Sequence, residues 1–328
     1  METEQTKLPP PPHLISSFAA GFDTIANHVA LILLPILVDV FLWLGPHLQV
    51  KQTILSLLKR SQSVQLPLAA ETMPDPATVQ QAYSDFFTRF NLFAGLRTFP
   101  VGPASLMSGS LPTESPLGSP VTYELSSIFS VAGWALLILV VGWIAGGLYY
   151  YFVSSAALTL PRCPLVPAIF QVIVLGSFWL MIMFIAAIPI LTILSATLLV
   201  SPFLAQAFLF LLGMVALWLI LPVFFSPHGI FAYQQNALTA IRNSLRLMRY
   251  TLPTSGLFLL GIIIIGQGLD FLWRTPPATS WWMLVGIAGH AFVSTALLAA
   301  SFVYYRDVNV WLTAVFEQLK RRPVSAKI

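Results

Sequence analysis

Long apolar stretches alternate with short polar ones over most of the chain, and this pattern predicts the main elements. A bilayer core about 30 Å thick needs about 20 consecutive apolar residues in a helix. Six stretches meet that requirement: residues 25–45, 126–152, 167–197, 203–226, 252–273 and 281–305. The third would be about 46 Å long at 1.5 Å per residue. Pro189 lies inside it, so a kinked or steeply tilted helix is expected, with two short re-entrant pieces as the alternative. The expected fold is an all-α polytopic integral membrane protein with about six transmembrane helices plus interfacial amphipathic helices.

The polar intervals complete the organisation. Residues 1–24 read as a polar tail with a proline run at Pro9–Pro12, and 25–45 as a retained first span rather than a signal peptide, since Lys7 is the only nearby base. Residues 46–124 form a loop outside the bilayer, 126–305 a five-span bundle, and 306–328 a basic amphipathic tail. Within the loop, Pro46 is placed to open a helix, and Asp75-Pro76 is a second start, an N-cap followed by an N1 proline. Val79, Ala82, Tyr83, Phe86, Phe90 and Phe93 recur at helical spacing, which suits either a helix in the membrane interface or a face packed on the bundle. Residues 100–120 are dense in Pro, Gly and Ser and read as a flexible connector.

Composition narrows the class further. Hydrophobic residues make up 57% of the chain and charged ones 9%, against about 25% charged in a soluble domain. The mean hydropathy is +0.82. A soluble enzyme, a disordered tail protein and a disulfide scaffold are thereby excluded. The net charge of +4 suits anionic headgroups and is too scattered for nucleic acid. Cys163 is the only cysteine, so neither an intrachain disulfide nor a cysteine metal site is available. The five histidines lack ligand spacing, and no metal or cofactor is expected. Phosphate-binding, zinc-protease and nucleophile-elbow motifs are missing, which disfavours an enzyme.

Basic residues set the orientation. With a cytoplasmic N-terminus, the inner side collects Lys7, Arg162, Arg242, Arg246, Arg249, Arg306, Lys320, Arg321, Arg322 and Lys327, leaving Arg274 in a short outer loop. Both termini are then cytoplasmic. Residues 236–252 form a basic amphipathic helix that Asn236 can cap, with Leu238, Ile241, Leu245, Met248 and Leu252 as its apolar stripe. Arg242, Arg246 and Arg249 are candidates to bind lipid phosphates, although the positive-inside rule alone also accounts for them.

Ala240, Ser244, Leu247 and Arg249 fit an A-x-x-x-S-x-x-L-x-R pattern, and the last span closes on Tyr304, Tyr305 and Asp307. On these residues the C-terminal third resembles the membrane domain that accompanies some glycerophosphoryl diester phosphodiesterases, and related uncharacterised six-span bacterial membrane proteins. The resemblance implies a polytopic membrane protein and carries over no catalytic residue, because the chain has no soluble phosphodiesterase domain.

Ionisable residues inside a bilayer are costly and mark candidate sites. Asp39 lies in the first span, Asp270 near the end of the fifth and His290 in the sixth, with Gln171, Gln206 and Gln267 adding neutral polarity. Depth arithmetic at 1.5 Å per residue puts Asp39 and His290 about 5 and 4 Å outward of their span midpoints. The two could therefore meet in a proton or ligand site with Gln267 nearby. Asp270 and Arg274 are four apart, as an i,i+4 ion pair requires. Gly142 and Gly146 form a GxxxG that permits close helix packing, within the chain or between chains.

Together these features point to a non-enzymatic membrane component in lipid handling, envelope maintenance or complex assembly. Its expected partners are membrane lipids, other membrane proteins or a second copy of itself, in a plasma membrane of bacterial or archaeal type. The alternative is a small secondary transporter with its site near Asp39 and His290.

Overall fold

Segments this apolar have no water to satisfy their backbone in hydrocarbon, so each folds as a helix that bonds to itself. The computed structural model describes residues 10–62, 76–161 and 163–321. Lys7, Asp75, Arg162, Arg322 and Lys327 lie outside the described residues, as do the side chains of Val79 and Ala82. Among the described residues, five helices are long and apolar enough to cross a membrane: α6 (Ile128–Ala157), α7 (Leu165–Val200), α8 (Pro202–Tyr233), α9 (Ala237–Trp273) and α10 (Met283–Arg321). A sixth crossing is made if α1 (Leu14–Asn27) and the Val29–Leu44 helix that follows, bent by 95° at their break, are taken as one span. The chain is an all-α, multi-pass membrane protein. The 167–197 stretch is one helix through Pro189.

The first span departs from expectation. Residues 14–24 are not tail but most of α1, which packs along α10. A Cβ on Gly21 would lie 2.5 Å from the Ala296 carbonyl and the Ala300 nitrogen. Phe18 stacks on Phe258 at 4.9 Å and Phe22 meets Phe292 at 6.1 Å. Ala19, Ala20 and Gly21 made this stretch look weakly apolar, yet small residues are what let two helices approach closely in a membrane. After a 3-10 turn (Val29–Ile32), α2 (Leu33–Leu44) heads away from α1 and buries Asp39, Leu42 and Trp43.

Of residues 46–124, those described pack against α2 and α6; the end of the bundle where α6 begins is hereafter the loop end. Pro46 does not open a helix. A short strand β1 (His47–Gln49) comes first and pairs in parallel with β2 (Thr122–Glu124), His47 opposite Thr122. Helix α3 (Lys51–Gln62) follows, its N-terminus capped by Glu124, which accepts from the Gln52 amide at 2.6 Å. Helix α4 (Pro76–Arg89) packs on α3, leaving Tyr83 and Phe86 exposed; the predicted Asp75 cap lies outside the described residues. A 3-10 turn (Leu92–Leu96) and the four-residue α5 (Met107–Ser110) complete the loop.

The Pro/Gly/Ser-rich stretch is not an unpacked connector. Val101, Leu106 and Met107 are fully buried, and Trp143 of α6 donates to the Phe99 carbonyl at 3.2 Å. Its composition reads as a linker because extended chain without large side chains suits linkers. The same traits let it pass close to helix backbone. The Gly142–Gly146 face receives this segment rather than another helix. A Cβ on Gly142 would meet Thr98 and Leu96, and one on Gly146 would meet Gly102 and Val101.

At the opposite end, Asn236 caps α9 as expected, its side chain accepting from the Thr239 amide at 2.8 Å. The basic amphipathic segment and the fifth span are one helix, broken only at Thr251 (φ −125°, ψ 16°), two residues before Pro253. The predicted apolar stripe is rotated. Ala240, Ser244, Leu247 and Thr251 face the bundle, with Ile241 and Met248 beside them, whereas Leu238, Leu245 and Leu252 are exposed beside the three arginines. Ser244 donates to the Pro222 carbonyl at 2.6 Å. Asn236→Ala should cost about 1 kcal/mol in thermal unfolding of the detergent-solubilised protein, and Asn236→Ser almost nothing. Equal losses would show that the cap is idle. Cys163 is buried between α6 and α7, and burial pushes its thiol pKa up.

Candidate functional site

Residues of α6, α8, α9 and α10, with residues 97–100 and 102–104 of the loop as its roof, line a partly open cavity of about 370 Å³. Ligand pockets span about 300–1,000 Å³, so the space suits a small molecule or a lipid headgroup with part of a chain. Its polar lining is Asp270 and Gln267 from α9, His290 and Ser294 from α10, and Arg97 from the roof. Its apolar lining includes Phe224 of α8, Ile262 and Ile263 of α9, and Leu297 and Leu298 of α10. Tyr149 and Tyr150 of α6 line it as well. Tyr149 donates to Thr295 Oγ1 at 2.9 Å, which ties α6 to α10 beside the polar residues.

Helix geometry explains the polar cluster. Asp270 lies one turn before the end of α9, and α10 returns after a short turn, so residues near 270 and 290 face each other. The His290 imidazole is within hydrogen-bond reach of the Asp270 carboxylate, Nδ1 to Oδ1 at 2.7 Å. Ser294 is four residues on, hence on the same face of α10, and its Oγ is 3.3 Å from Nε2. The His290 and Asp270 side chains are only 8% and 15% exposed. The predicted Asp270–Arg274 pair exists at a looser 3.9 Å, with Arg274 40% exposed. A surface pair at that distance contributes little, so the main partner of Asp270 is His290.

The structure divides the predicted site residues. His290 and Gln267 line the cavity together. Asp39 is fully buried and near enough to His290 to interact electrostatically, but the two make no direct hydrogen bond or ion pair. The Asp39 carboxylate accepts from Ser105 Oγ at 2.5 Å and from the Leu106 and Met107 amides at 2.9 Å each. It therefore pins the roof segment to α2. Depth arithmetic placed the two residues at similar heights, but depth carries no information on azimuth around a bundle. Gly142 and Gly146 are covered within the chain and are not free for a partner. Arg242, Arg246 and Arg249 are all exposed on α9.

Ser294, Arg97 and Tyr149 were not singled out from sequence. For Ser294 the four-residue spacing from His290 was a usable signal. For Arg97, on a long loop, there was none. Comparison with known proteins finds no matching protein-family model, no matching curated protein and no matching solved structure.

Proposed function

We propose that this chain is a plasma-membrane component in lipid handling, with both termini cytoplasmic, that admits an amphipathic molecule into the cavity at its loop end. The observation that carries this reading is the mixed lining, hydrogen-bonding groups at Asp270, His290, Ser294 and Arg97 beside Ile262, Ile263 and Leu297 in one cavity. A polar head and an acyl chain need these two surfaces side by side. The exposed α9 face adds support. Leu238, Leu245 and Leu252 alternate there with Arg242 and Arg249, with Arg246 alongside, and residues 237–252 contain no acidic side chain. Leucines can enter the acyl region while arginines stay with phosphates.

The alternative, a small secondary transporter, keeps His290 and Gln267 but replaces Asp39 with Asp270. Under it, proton-coupled uptake should be lost in Asp270→Asn and retained in any Asp39 variant that folds.

Native mass spectrometry of the chain purified in mild detergent tests the lipid reading. Gly266 lines the cavity, and a Cβ there would make only an ordinary 3.6 Å contact with Leu297. Gly268, on the same helix, faces open space. The wild type should retain an amphipathic molecule that Gly266→Leu excludes and Gly268→Leu keeps. Retention by all three, or by none, would refute a ligand in this cavity. Separately, changing Arg242, Arg246 and Arg249 together to Gln should deplete bound anionic lipid, since each base near an anionic surface contributes about 1 kcal/mol. An unchanged lipid profile would leave those arginines to topology alone.

A further inference from the structure

Three side chains of the polar lining of the cavity stand in a chemically specific order. His290 Nδ1 lies 2.7 Å from Asp270 Oδ1 and its Nε2 3.3 Å from Ser294 Oγ; in the neutral tautomer that donates from Nδ1 to the carboxylate, Nε2 is the acceptor facing the hydroxyl. A serine in an apolar helix ordinarily donates back to the carbonyl four residues earlier. Neighbouring Thr295 does so, to Ala291 at 2.5 Å. Ser294 turns instead to the imidazole. All three groups line the same cavity. Nucleophile, base and orienting carboxylate are thus assembled in contact with the space where the proposed amphipathic molecule would sit.

We propose that Ser294, His290 and Asp270 form a nucleophilic relay that hydrolyses a carboxylic ester of a lipid held in the cavity. The inference rests on the lipid-handling reading and departs from the sequence-based expectation of a non-enzymatic role. In the first step Ser294 Oγ attacks the ester carbonyl carbon while its proton passes to His290 Nε2. The tetrahedral intermediate collapses, the carbon–oxygen bond to the alcohol breaks, and His290 returns that proton to the departing oxygen. Water then attacks the acyl-serine, gives a proton to Nε2, and releases the acid as Ser294 regains its hydrogen. The sum is ester plus water to acid plus alcohol. Asp270 is a positioning residue that holds the imidazole in the tautomer required. Arg97 is the cation among the lining residues, and its Nη1 donates to the Ser105 carbonyl at 3.4 Å.

The test uses the full chain in mild detergent with a long-chain alkyl fluorophosphonate, which reacts with serines activated by a base. Intact mass should show one adduct, mapped by peptide sequencing to Ser294, and absent from Ser294→Ala and His290→Ala. Asp270→Asn should slow labelling about a hundredfold or more, whereas Asp270→Glu, at an unchanged unfolding temperature, should keep most of it. A long-chain nitrophenyl ester should release nitrophenol in wild type and not in Ser294→Ala. Retention of the bound amphipathic molecule by Ser294→Ala would show that its cavity is intact. No adduct, or an adduct on another residue, overturns the relay. If the molecule is still retained and lost only in Gly266→Leu, the lipid reading survives that failure; if nothing is retained, both fall.

Discussion

Gly146→Leu is expected to unseat the roof of the cavity and to lower the unfolding temperature sharply. A Cβ at this position would lie 2.6 Å from Gly102 Cα and 2.7 Å from Gly102 N, well inside van der Waals contact. The obstacle is main chain, which cannot rotate away as a side chain can. Forcing extra carbon into such a contact costs about 1–3 kcal/mol and at times more, and here the likewise buried Gly142 contact next to it is also disturbed. The control is Gly213→Leu, where the space is open and the change should stay within about 0.5 kcal/mol. Thermal unfolding in detergent, with limited proteolysis between residues 98 and 107, measures both. Equal unfolding temperatures for the two variants would show that the segment is not seated on α6 in this way.

Asp39→Ala should be comparably damaging, for an electrostatic rather than a steric reason. The carboxylate receives three buried donors, the Ser105 hydroxyl and the Leu106 and Met107 amides. Each donor left without a partner costs about 1–3 kcal/mol, so several kcal/mol are at stake in a protein whose folded state is only marginally favoured. Asp39→Asn should fall between wild type and Asp39→Ala. Its remaining oxygen can still accept from Ser105 and Met107, while its amide nitrogen confronts the Leu106 N–H. Graded unfolding temperatures in the order Asp, Asn, Ala are the expected result. A transport role for Asp39 demands the reverse, with Asp39→Asn folding normally and losing uptake, and that outcome would refute the structural assignment.

The contrast between Asp39 and Asp270 shows how far a linear reading reaches. Both were recognised as costly charges in apolar helices. Their partners were not legible, because Ser105 and His290 lie 66 and 20 residues away. Only the seating of the roof and the packing of α9 on α10 bring them into contact. The amphipathic segment of α9 shows a second limit. In water an apolar stripe marks the buried side, and that rule selected Leu238, Leu245 and Leu252. Where hydrocarbon is the solvent, leucine is at ease outside and the protein core collects residues that permit close approach or hydrogen bonding, here Ala240, Ser244 and Thr251.

By itself the sequence determined that the chain is a helical multi-pass membrane protein, since no other backbone arrangement satisfies so many peptide groups in so long a run of apolar residues. It also located five of the spans, the Asn236 cap and the handful of polar residues worth attention, all consequences of local composition and spacing. The tertiary structure alone decided the break in the first span, the roof built from the start of a Pro/Gly/Ser-rich stretch, and the cavity in which Asp270, His290 and Ser294 meet. Each of these depends on which helix faces fit together, and close packing is a property of pairs of distant segments that no single window of sequence contains.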